Sequence, residues 1–272
     1  MRQDPETPAE EFVLTDVHLR NYRRDGFLVR RNMFTTSQVS QLREAVERAC
    51  ANASQQASRG QEYFLDGKRF VDVDSCTLQY EPDDLTAERH TNLRVIEPVN
   101  EFDNDLDLLA DDPRLTTPIR CILGVQVLSL WTAKLNLKPP GGAGFGWHQD
   151  SPYWMHDSNQ VDRLPNVMLA LDDQSIGNGC FEIIRGSHRG GMLPGTNDGT
   201  ALGGFYTDPA AFAAKDAVTF EIPAGSLIFF DPHCVHGSDR NNSSKARRAL
   251  IYTYQPGLQR TLKTGTLRPI RF

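Results

Sequence analysis

His148 and Asp150 stand two residues apart in the stretch Gly-Trp-His-Gln-Asp-Ser-Pro-Tyr-Trp, and both side chains can bind a metal ion. In a β-strand, residues at this spacing point to the same face, so the pair could hold one side of an ion. Two histidines and one carboxylate form the facial triad of non-haem Fe(II) oxygenases, which leaves other metal positions open. A polar, solvent-exposed strand presents the same pair by chance, so a metal centre is predicted only if a second histidine joins it.

His236 is the predicted second histidine, 86 residues after the carboxylate. It follows the apolar run Leu-Ile-Phe-Phe at 227–230, and Arg247 opens another apolar run eleven residues later. A jelly-roll barrel brings such distant strands together at its mouth. His233 is the alternative third ligand, but the Gly237-Ser238 pair after His236 and the spacing to Arg247 favour His236.

Five short motifs occur in the order found in the phytanoyl-CoA dioxygenase family, which the sequence resembles from about residue 14 to residue 254. They are His148-x-Asp150, Asn178-Gly179-Cys180, Gly186-Ser187-His188, His236-Gly237-Ser238 and Arg247. The resemblance implies a dioxygenase that uses Fe(II), 2-oxoglutarate and O₂ to hydroxylate, or otherwise oxidise, an unactivated C–H bond of a small molecule. Succinate and CO₂ would be released. The fold expected is mainly β with flanking helices, a double-stranded β-helix barrel of the jelly-roll or cupin-like type.

Arg247 is predicted to receive the distal carboxylate of 2-oxoglutarate. A planar guanidinium matches a carboxylate through two hydrogen bonds and keeps its charge when buried. Ala249, Ile251 and Thr253 share its face of the strand, and that face is too apolar to leave an arginine unpaired. Arg248 points to the opposite face and is expected in solvent.

Three further polar residues are candidates for the co-substrate pocket. Ser238 could donate a second hydrogen bond to the carboxylate, as the resemblance implies, or be a simple turn serine. Lys134 and Asn136 share one face of a strand predicted within 125–138, where leucines take the other face. An apolar barrel would not bury these side chains without a polar ligand, and the resemblance points the same way. An edge strand with both in water is the alternative.

Aromatic residues directly after the metal-binding pair could wall the substrate pocket. Tyr153 and Trp154 are the candidates, although aromatic side chains here could equally belong to the core. Of the remaining histidines, His156 lies nearest to the site in sequence and could touch substrate. No feature of the sequence selects among substrates.

Two other functions fit part of this pattern. A cupin-like metal-binding protein with hydrolase, isomerase or binding activity would explain the three metal ligands but leave Arg247 without a role. A halogenase on the same fold would carry a small residue in place of the metal-binding carboxylate, whereas Asp150 is present. The oxygenase is therefore the prediction.

Composition predicts a single domain over 1–272. The 272 residues are 39% hydrophobic, enough for a core, and the formal net charge of −6 offers no basic surface for nucleic acid. No apolar run approaches the length of a membrane span, and the N-terminal residues lack an apolar signal region. Five scattered cysteines form no disulfide or zinc spacing, so a reducing cytoplasm is expected. We expect a monomer or homodimer with a small-molecule substrate and neither nucleic-acid nor membrane partners.

Local signals predict the elements that position these residues. Helices are predicted from Thr15 and from Thr36 or Ser37, a helix over 105–123 interrupted at Asp112-Pro113, and hairpins at Asp66-Gly67 and Asn178-Gly179. Residues 1–12 are expected to be a flexible tail, 54–61 and 81–92 loops, and the glycine-rich 189–212 a mobile lid.

Overall fold

A computed structural model describes residues 10–81 and 92–271. Residues 82–91 of the expected loop at 81–92 and residues 1–9 of the expected tail therefore lie outside the described residues. The strands are β1 (Phe27–Arg30), β2 (Gln61–Leu65), β3 (Lys68–Val73), β4 (Cys76–Tyr80), β5 (Leu93–Glu97), β6 (Leu128–Lys138), β7 (Phe145–His148), β8 (Asn166–Ala170), β9 (Phe181–Ile184), β10 (Ala217–Thr219), β11 (Leu227–Phe230), β12 (His236–Ser238) and β13 (Arg247–Pro256). The helices are α1 (Asp16–Asp25), α2 (Thr36–Ala57), α3 (Asn104–Leu109), α4 (Pro113–Leu123) and α5 (Ser151–Trp154).

Two antiparallel sheets form the body of the protein. The larger has the order β1-β11-β8-β13-β6-β5-β4-β3-β2, and the smaller has the order β10-β9-β12-β7. A buried apolar cluster joins them, because Ile183 of β9 packs with Met168 of β8 and Ala249 of β13. The mainly β jelly-roll prediction is confirmed, although over the described residues the two sheets are not hydrogen-bonded into a closed barrel.

Helices α1 and α2 brace the larger sheet, as their sequences predict. Thr15 caps α1 as predicted, whereas α2 is capped by Thr35 and not by Thr36 or Ser37; each threonine accepts a hydrogen bond from the backbone N–H three residues later. The apolar stripe of α2, with Val39 and Val46, is buried in the core formed with the sheet. Helix α2 continues to Ala57, so the loop predicted at 54–61 begins later than expected.

Turn signals were right in one place and wrong in another. The hairpin at Asp66-Gly67 is confirmed by the pairing of β2 with β3. Asn178-Gly179 does not form a hairpin, because β8 and β9 belong to different sheets and the chain crosses between them here. Gly179 has φ +63°, and a Cβ at this position would lie 2.0 Å from the Asp239 carbonyl oxygen, so glycine is required for close backbone approach.

The N-terminal residues that the structure describes are attached to the sheet. Residues Glu10–Phe12 form a single 3₁₀ turn, and the Arg30 guanidinium donates to the carbonyls of Glu11 and Phe12, both at 3.1 Å. The prediction of a flexible tail is therefore wrong for residues 10–12, and its remainder lies outside the described residues. Among the described residues, no helix combines the length and apolarity needed to cross a membrane. The five cysteines are free thiols.

Candidate metal centre and its pocket

His148 and His236 face each other across two neighbouring strands. His148 ends β7, His236 begins β12, and the two residues are directly paired in the antiparallel register. Their ring centroids are 4.1 Å apart. With Asp150 they form a cluster in which one potential ligand atom from each residue lies within 4.8 Å of the others. The structure thus brings together the three predicted metal ligands.

Asp150 reaches this cluster by a different route from the one predicted. Strand β7 ends at His148, and Asp150 has helical backbone angles, φ −77° and ψ −31°, directly before α5. The Pro232 carbonyl accepts hydrogen bonds from the N–H groups of Asp150 and Ser151, both at 3.1 Å. The prediction that both residues lie on one face of a strand is therefore wrong. Asp150 is placed beside the histidines by a turn, and hydrogen bonds to the β11–β12 connection hold that turn.

Backbone carbonyls fix the tautomer of both histidines. His148 Nδ1–H donates to the Gly146 carbonyl at 2.7 Å, and His236 Nδ1–H donates to the Cys234 carbonyl at 2.9 Å. Each Nε2 lone pair is then available to a metal. Burial lowers the pKa of both histidines, and His236 lowers that of His148 further. Two neutral imidazoles beside a carboxylate are the donor set that Fe(II) takes in oxygenases.

Lys134 and Asn166 hold the Asp150 carboxylate. Lys134 Nζ lies 3.3 Å from Oδ1, and Asn166 Nδ2 donates to Oδ2 at 2.9 Å. The Thr253 hydroxyl in turn donates to the Asn166 side-chain carbonyl. Burial acts to raise the pKa of Asp150, but the charge and hydrogen bond of Lys134, together with His236 and His148, outweigh it, and the pKa lies below its usual range. The carboxylate is therefore ionised and oriented before any metal binds.

His233, the alternative third ligand, points away from the cluster. Its Nε2 lies 2.8 Å from the carboxylate of Asp162, and its carbonyl accepts a hydrogen bond from Gln149. The geometry brings His236, and not His233, to the other two ligands.

Arg247 lies in the wall of a cavity of about 220 Å³ beside the metal ligands. Its residue is only 3% exposed, and burial lowers its pKa to about 10. Its guanidinium donates one long hydrogen bond, 3.4 Å, to the Gln174 side-chain carbonyl. Its Nε has no hydrogen-bond partner among the described residues. Ala249 and Ile251 line the same wall. A buried guanidinium with unused donors fits an anionic ligand in the cavity.

Ser238 lines the cavity next to Arg247, and Lys138 stands behind it. Lys138 is 1% exposed, and its Nζ lies 2.8 Å from Ser238 Oγ and 3.1 Å from the Gly179 carbonyl, with the Asp239 carbonyl as a third partner. The sequence analysis did not select Lys138 as a site residue. Its alternation with Lys134 and Asn136 along β6 was the available signal.

The protonation state of Lys138 decides where the Ser238 hydroxyl points. A neutral Lys138 amine donates its two N–H groups to the Gly179 and Asp239 carbonyls and accepts the third hydrogen bond from the Ser238 hydroxyl. An ammonium donates all three hydrogen bonds, so the Ser238 O–H is free to donate into the cavity. Burial, followed by the charges of Arg247 and Arg94, lowers the Lys138 pKa to about 6, against smaller opposing effects of Glu81 and Asp239.

Binding of a dicarboxylate beside Arg247 is therefore expected to take up a proton. At about pH 7.5 Lys138 is mostly neutral, and a nearby carboxylate raises its pKa, so up to about one proton is bound per ligand. By linkage, affinity for 2-oxoglutarate falls as pH rises above about 6. Calorimetric titrations in buffers of different ionisation enthalpy measure the proton number. The Lys138→Met variant should show none, and equal uptake by the variant would assign the proton elsewhere.

The remaining predicted pocket residues divide into two groups. Lys134, Asn136 and Tyr153 line the cavity, and the Tyr153 ring meets His148 edge-on with centroids 6.0 Å apart. Trp154 does not line it, because α5 turns this side chain into a buried cluster with Trp131 and Leu164. The predicted role of Trp154 in the pocket wall is therefore wrong.

His156 is exposed on a different surface. It lies with Trp131 and Gln160 around a separate depression, outside the cavity of the metal ligands. The prediction that it touches substrate is wrong, because the chain leaves the site through α5 before reaching it.

Arg248 points away from Arg247 as predicted, but it is not simply solvated. Its guanidinium binds the Asp172 carboxylate through two hydrogen bonds of 2.9 and 3.0 Å, and it also contacts Glu47. A half-buried ion pair of this kind links β13 to its surroundings. Arg248→Ala would therefore perturb packing, which makes it a poor control for Arg247.

The segment 189–212, the predicted lid, covers the end of the ligand strand. Tyr206 forms a β-bridge with His148, and the Thr207 N–H donates to the Trp147 carbonyl at 2.9 Å. Phe205 stacks on Tyr153 with centroids 4.4 Å apart. The segment thus contacts both the metal-binding strand and the cavity wall.

The fold and the centre together define a class. Two neutral histidines on neighbouring strands of a jelly-roll fold, a carboxylate that a turn holds beside them, and a buried arginine are the arrangement of non-haem Fe(II) oxygenases that use an anionic co-substrate. The sequence profile of phytanoyl-CoA dioxygenase (PhyH) matches residues 22–249. The chain belongs to the phytanoyl-CoA dioxygenase family, and it is a non-haem iron dioxygenase that uses Fe(II), 2-oxoglutarate and O₂.

Known relatives differ in the compounds that their names record. The ectoine dioxygenase of Bordetella parapertussis is 27% identical over 275 residues, which cover 93% of this chain and 80% of that protein. The L-proline trans-4-hydroxylase of Streptomyces griseoviridis is 27% identical over 204 residues, covering 67% and 74%. The crystal structure of EctD from S. alaskensis with 2-oxoglutarate and 5-hydroxyectoine superposes with a TM-score of 0.67 at 22% identity, covering 94% of this chain and 79% of that chain. That structural likeness shows the shared fold.

Proposed function

We propose that His148, Asp150 and His236 hold the Fe(II) ion, and that Arg247 and Ser238 bind the distal carboxylate of 2-oxoglutarate. The observation that carries this assignment is the juxtaposition of a three-ligand cluster with a buried, almost unpartnered guanidinium in one cavity. A plain metal-binding cupin would give Arg247 no partner. The oxygenase provides one.

The side chains around the centre orient the bound groups. When Fe(II) is present, it supplies the activation of O₂ that permits attack on an unactivated C–H bond. Lys134 and Asn166 keep the Asp150 carboxylate in one orientation, while Lys138 frees the Ser238 hydroxyl to donate to the co-substrate. Lys134 lines the cavity and contacts Asp150. We therefore propose that its main role is to hold Asp150, and that a contact with 2-oxoglutarate is a lesser role. Asn136 lines the same wall and is proposed as a further donor to the co-substrate.

The substrate is proposed to be a small molecule that is hydroxylated. The cavity of about 220 Å³ is smaller than the roughly 300–1,000 Å³ of common ligand pockets, and it must also admit 2-oxoglutarate. Tyr153 lines it, and Phe205 of the segment 189–212 stacks on Tyr153, so we propose that this segment acts as a lid that excludes water. Relatives named for ectoine and L-proline support a small substrate.

The protein is further proposed to be one domain, a monomer or homodimer, working in the cytoplasm without nucleic-acid or membrane partners. The continuity of the nine-stranded sheet from β1 to β13 supports a single domain. Five free cysteines fit a reducing compartment.

Succinate release tests the proposed function. Purified protein with Fe(II), 2-oxoglutarate and O₂ should form succinate faster when a small-molecule panel contains the substrate, and one succinate should appear for each molecule hydroxylated. Removal of Fe(II) by a chelator should stop the reaction, and readdition should restore it. A metal-loaded protein that forms no succinate above the rate without enzyme, yet converts a panel compound, would favour the non-oxidative cupin.

A further inference from the structure

Glu97 lines the same cavity as Arg247, and its carboxylate has no ion-pair partner among the residues that the structure describes. Glu97 ends β5, and its neighbours in the cavity wall come from β3, β4 and β5. In the antiparallel register Glu97 pairs with Thr77 of β4, while Arg247 pairs with Lys138 at the far end of β6. The two charged groups are thus separated along the wall of the cavity, because Ile96, next to Glu97, pairs with Leu135, near the middle of β6.

Contacts with the rest of the protein satisfy Glu97 only in part. Within residues 10–81 and 92–271, its side chain accepts one hydrogen bond, 2.7 Å from the Thr132 hydroxyl. No ion pair in that part of the chain involves Glu97, although Lys134 lies close enough to sense its charge. Lys134 Nζ is held at 3.3 Å by Asp150 instead. The Thr132 hydroxyl therefore holds the Glu97 carboxylate in place, and the carboxylate remains available to a ligand in the cavity.

Every charged side chain that lines the cavity, except Glu97, has a proposed role. Asp150 belongs to the metal centre, Lys134 neutralises Asp150, and Arg247 faces the co-substrate. Glu97 has no such assignment. A half-buried carboxylate that gives up part of its hydration is stabilised by a cation brought by a ligand.

Aromatic rings line the same cavity as the carboxylate. Phe70 stacks on Tyr63 with centroids 5.3 Å apart, and Tyr153, which lies close enough to be affected by the charge of Glu97, stacks on Phe205. Aromatic faces next to a carboxylate are a common surrounding for ammonium groups, because the ring quadrupole attracts positive charge.

From this arrangement we infer that the substrate carries a cationic nitrogen, such as an ammonium or amidinium group, and that Glu97 binds it. The inference rests on the proposed function, since it assigns the substrate side of the same cavity. It makes Glu97 a specificity-determining residue: its carboxylate selects the charged substrate and places it between the aromatic rings, within reach of the metal centre.

Matched ligand pairs that differ only at the nitrogen test this inference. A panel of small amines and amidines would include L-proline with tetrahydrofuran-2-carboxylate, and 2-aminoethylphosphonate with propylphosphonate. Each compound is titrated anaerobically into the protein loaded with Fe(II) and 2-oxoglutarate, following the charge-transfer absorption of that complex. Members with the positively charged nitrogen (the cationic members) should perturb the band and, once O₂ is admitted, stimulate succinate release. Their partners, which carry no charge at that position (the neutral members), should bind at least about tenfold more weakly.

Glu97→Gln is the decisive variant, because the amide keeps an oxygen to accept from Thr132 and so preserves the fold. It should weaken the cationic ligands at least about tenfold and leave the neutral ones unchanged. Glu44→Gln, the same change at an exposed position of α2, should behave as wild type. If Glu97 served only to keep Lys134 charged, the variant would leave the preference between paired ligands intact.

The outcomes separate the two proposals. Loss of the charge-transfer band itself would contradict the metal and co-substrate assignment. A normal band with no response to cationic members, or with equal response to the neutral ones, would overturn the role of Glu97 alone.

Discussion

Replacing Arg247 with alanine is expected to raise the KM for 2-oxoglutarate by about two to four decades. The guanidinium is buried, and removal of one partner of a buried charge pair costs roughly 3–5 kcal/mol, which is that range in binding. Iron affinity should be nearly unchanged, because Arg247 contacts none of the three metal ligands. Steady-state succinate release at varied 2-oxoglutarate measures the effect.

Two further variants distinguish a two-pronged contact from a general charge effect. Arg247→Lys should recover only part of the affinity, since an ammonium cannot make both hydrogen bonds of the fork. Arg240→Ala removes an exposed arginine and should leave the KM at its wild-type value. A wild-type KM in Arg247→Ala would remove the co-substrate assignment and restore the plain metal-binding cupin.

Replacing His236 or Asp150 with alanine should abolish turnover and weaken Fe(II) binding by more than about a hundredfold. Changes to groups that merely orient a ligand cost about 10–100-fold in metal affinity, and loss of a ligand itself should cost more. Equilibrium dialysis of Fe(II) under argon measures binding, and circular dichroism checks that the sheets are retained.

His233→Ala is the matched control for the metal centre. Its imidazole interacts with Asp162, outside the ligand cluster, so the variant should bind Fe(II) as wild type does. Iron retained by His236→Ala but lost by His233→Ala would reverse the assignment of the third ligand.

Sequence reasoning selected the residues now proposed for the metal and the co-substrate because their chemistry is restrictive. Few side chains bind Fe(II), and an arginine on an apolar strand needs an anion, so His148, Asp150, His236 and Arg247 could be selected by type and order. The backbone conformation at Asp150 could not be predicted from the sequence, because the hydrogen bonds that set it are accepted by the carbonyl of Pro232, which lies far along the chain.

The surroundings of the site were beyond sequence reasoning for the same reason. Lys138 and Asn166 act through partners contributed by other strands, and a lysine or asparagine on a strand is commonplace. Trp154 was misplaced because one residue of rotation in α5 separates Tyr153, at the cavity, from a side chain in the core. Glu97 could not be selected from the sequence, because its lack of an ion-pair partner is visible only once the structure shows the partners of the other charged residues in the cavity.

Anaerobic titration of 2-oxoglutarate into the Fe(II)-loaded protein tests the central claim most directly. Chelation of the iron by the co-substrate produces a charge-transfer absorption that neither component gives alone. The proposed centre predicts this band in the wild-type protein at one 2-oxoglutarate per chain, its loss in His236→Ala, and its appearance only at far higher 2-oxoglutarate in Arg247→Ala. A protein that binds Fe(II) stoichiometrically but develops no band at saturating 2-oxoglutarate would contradict the account.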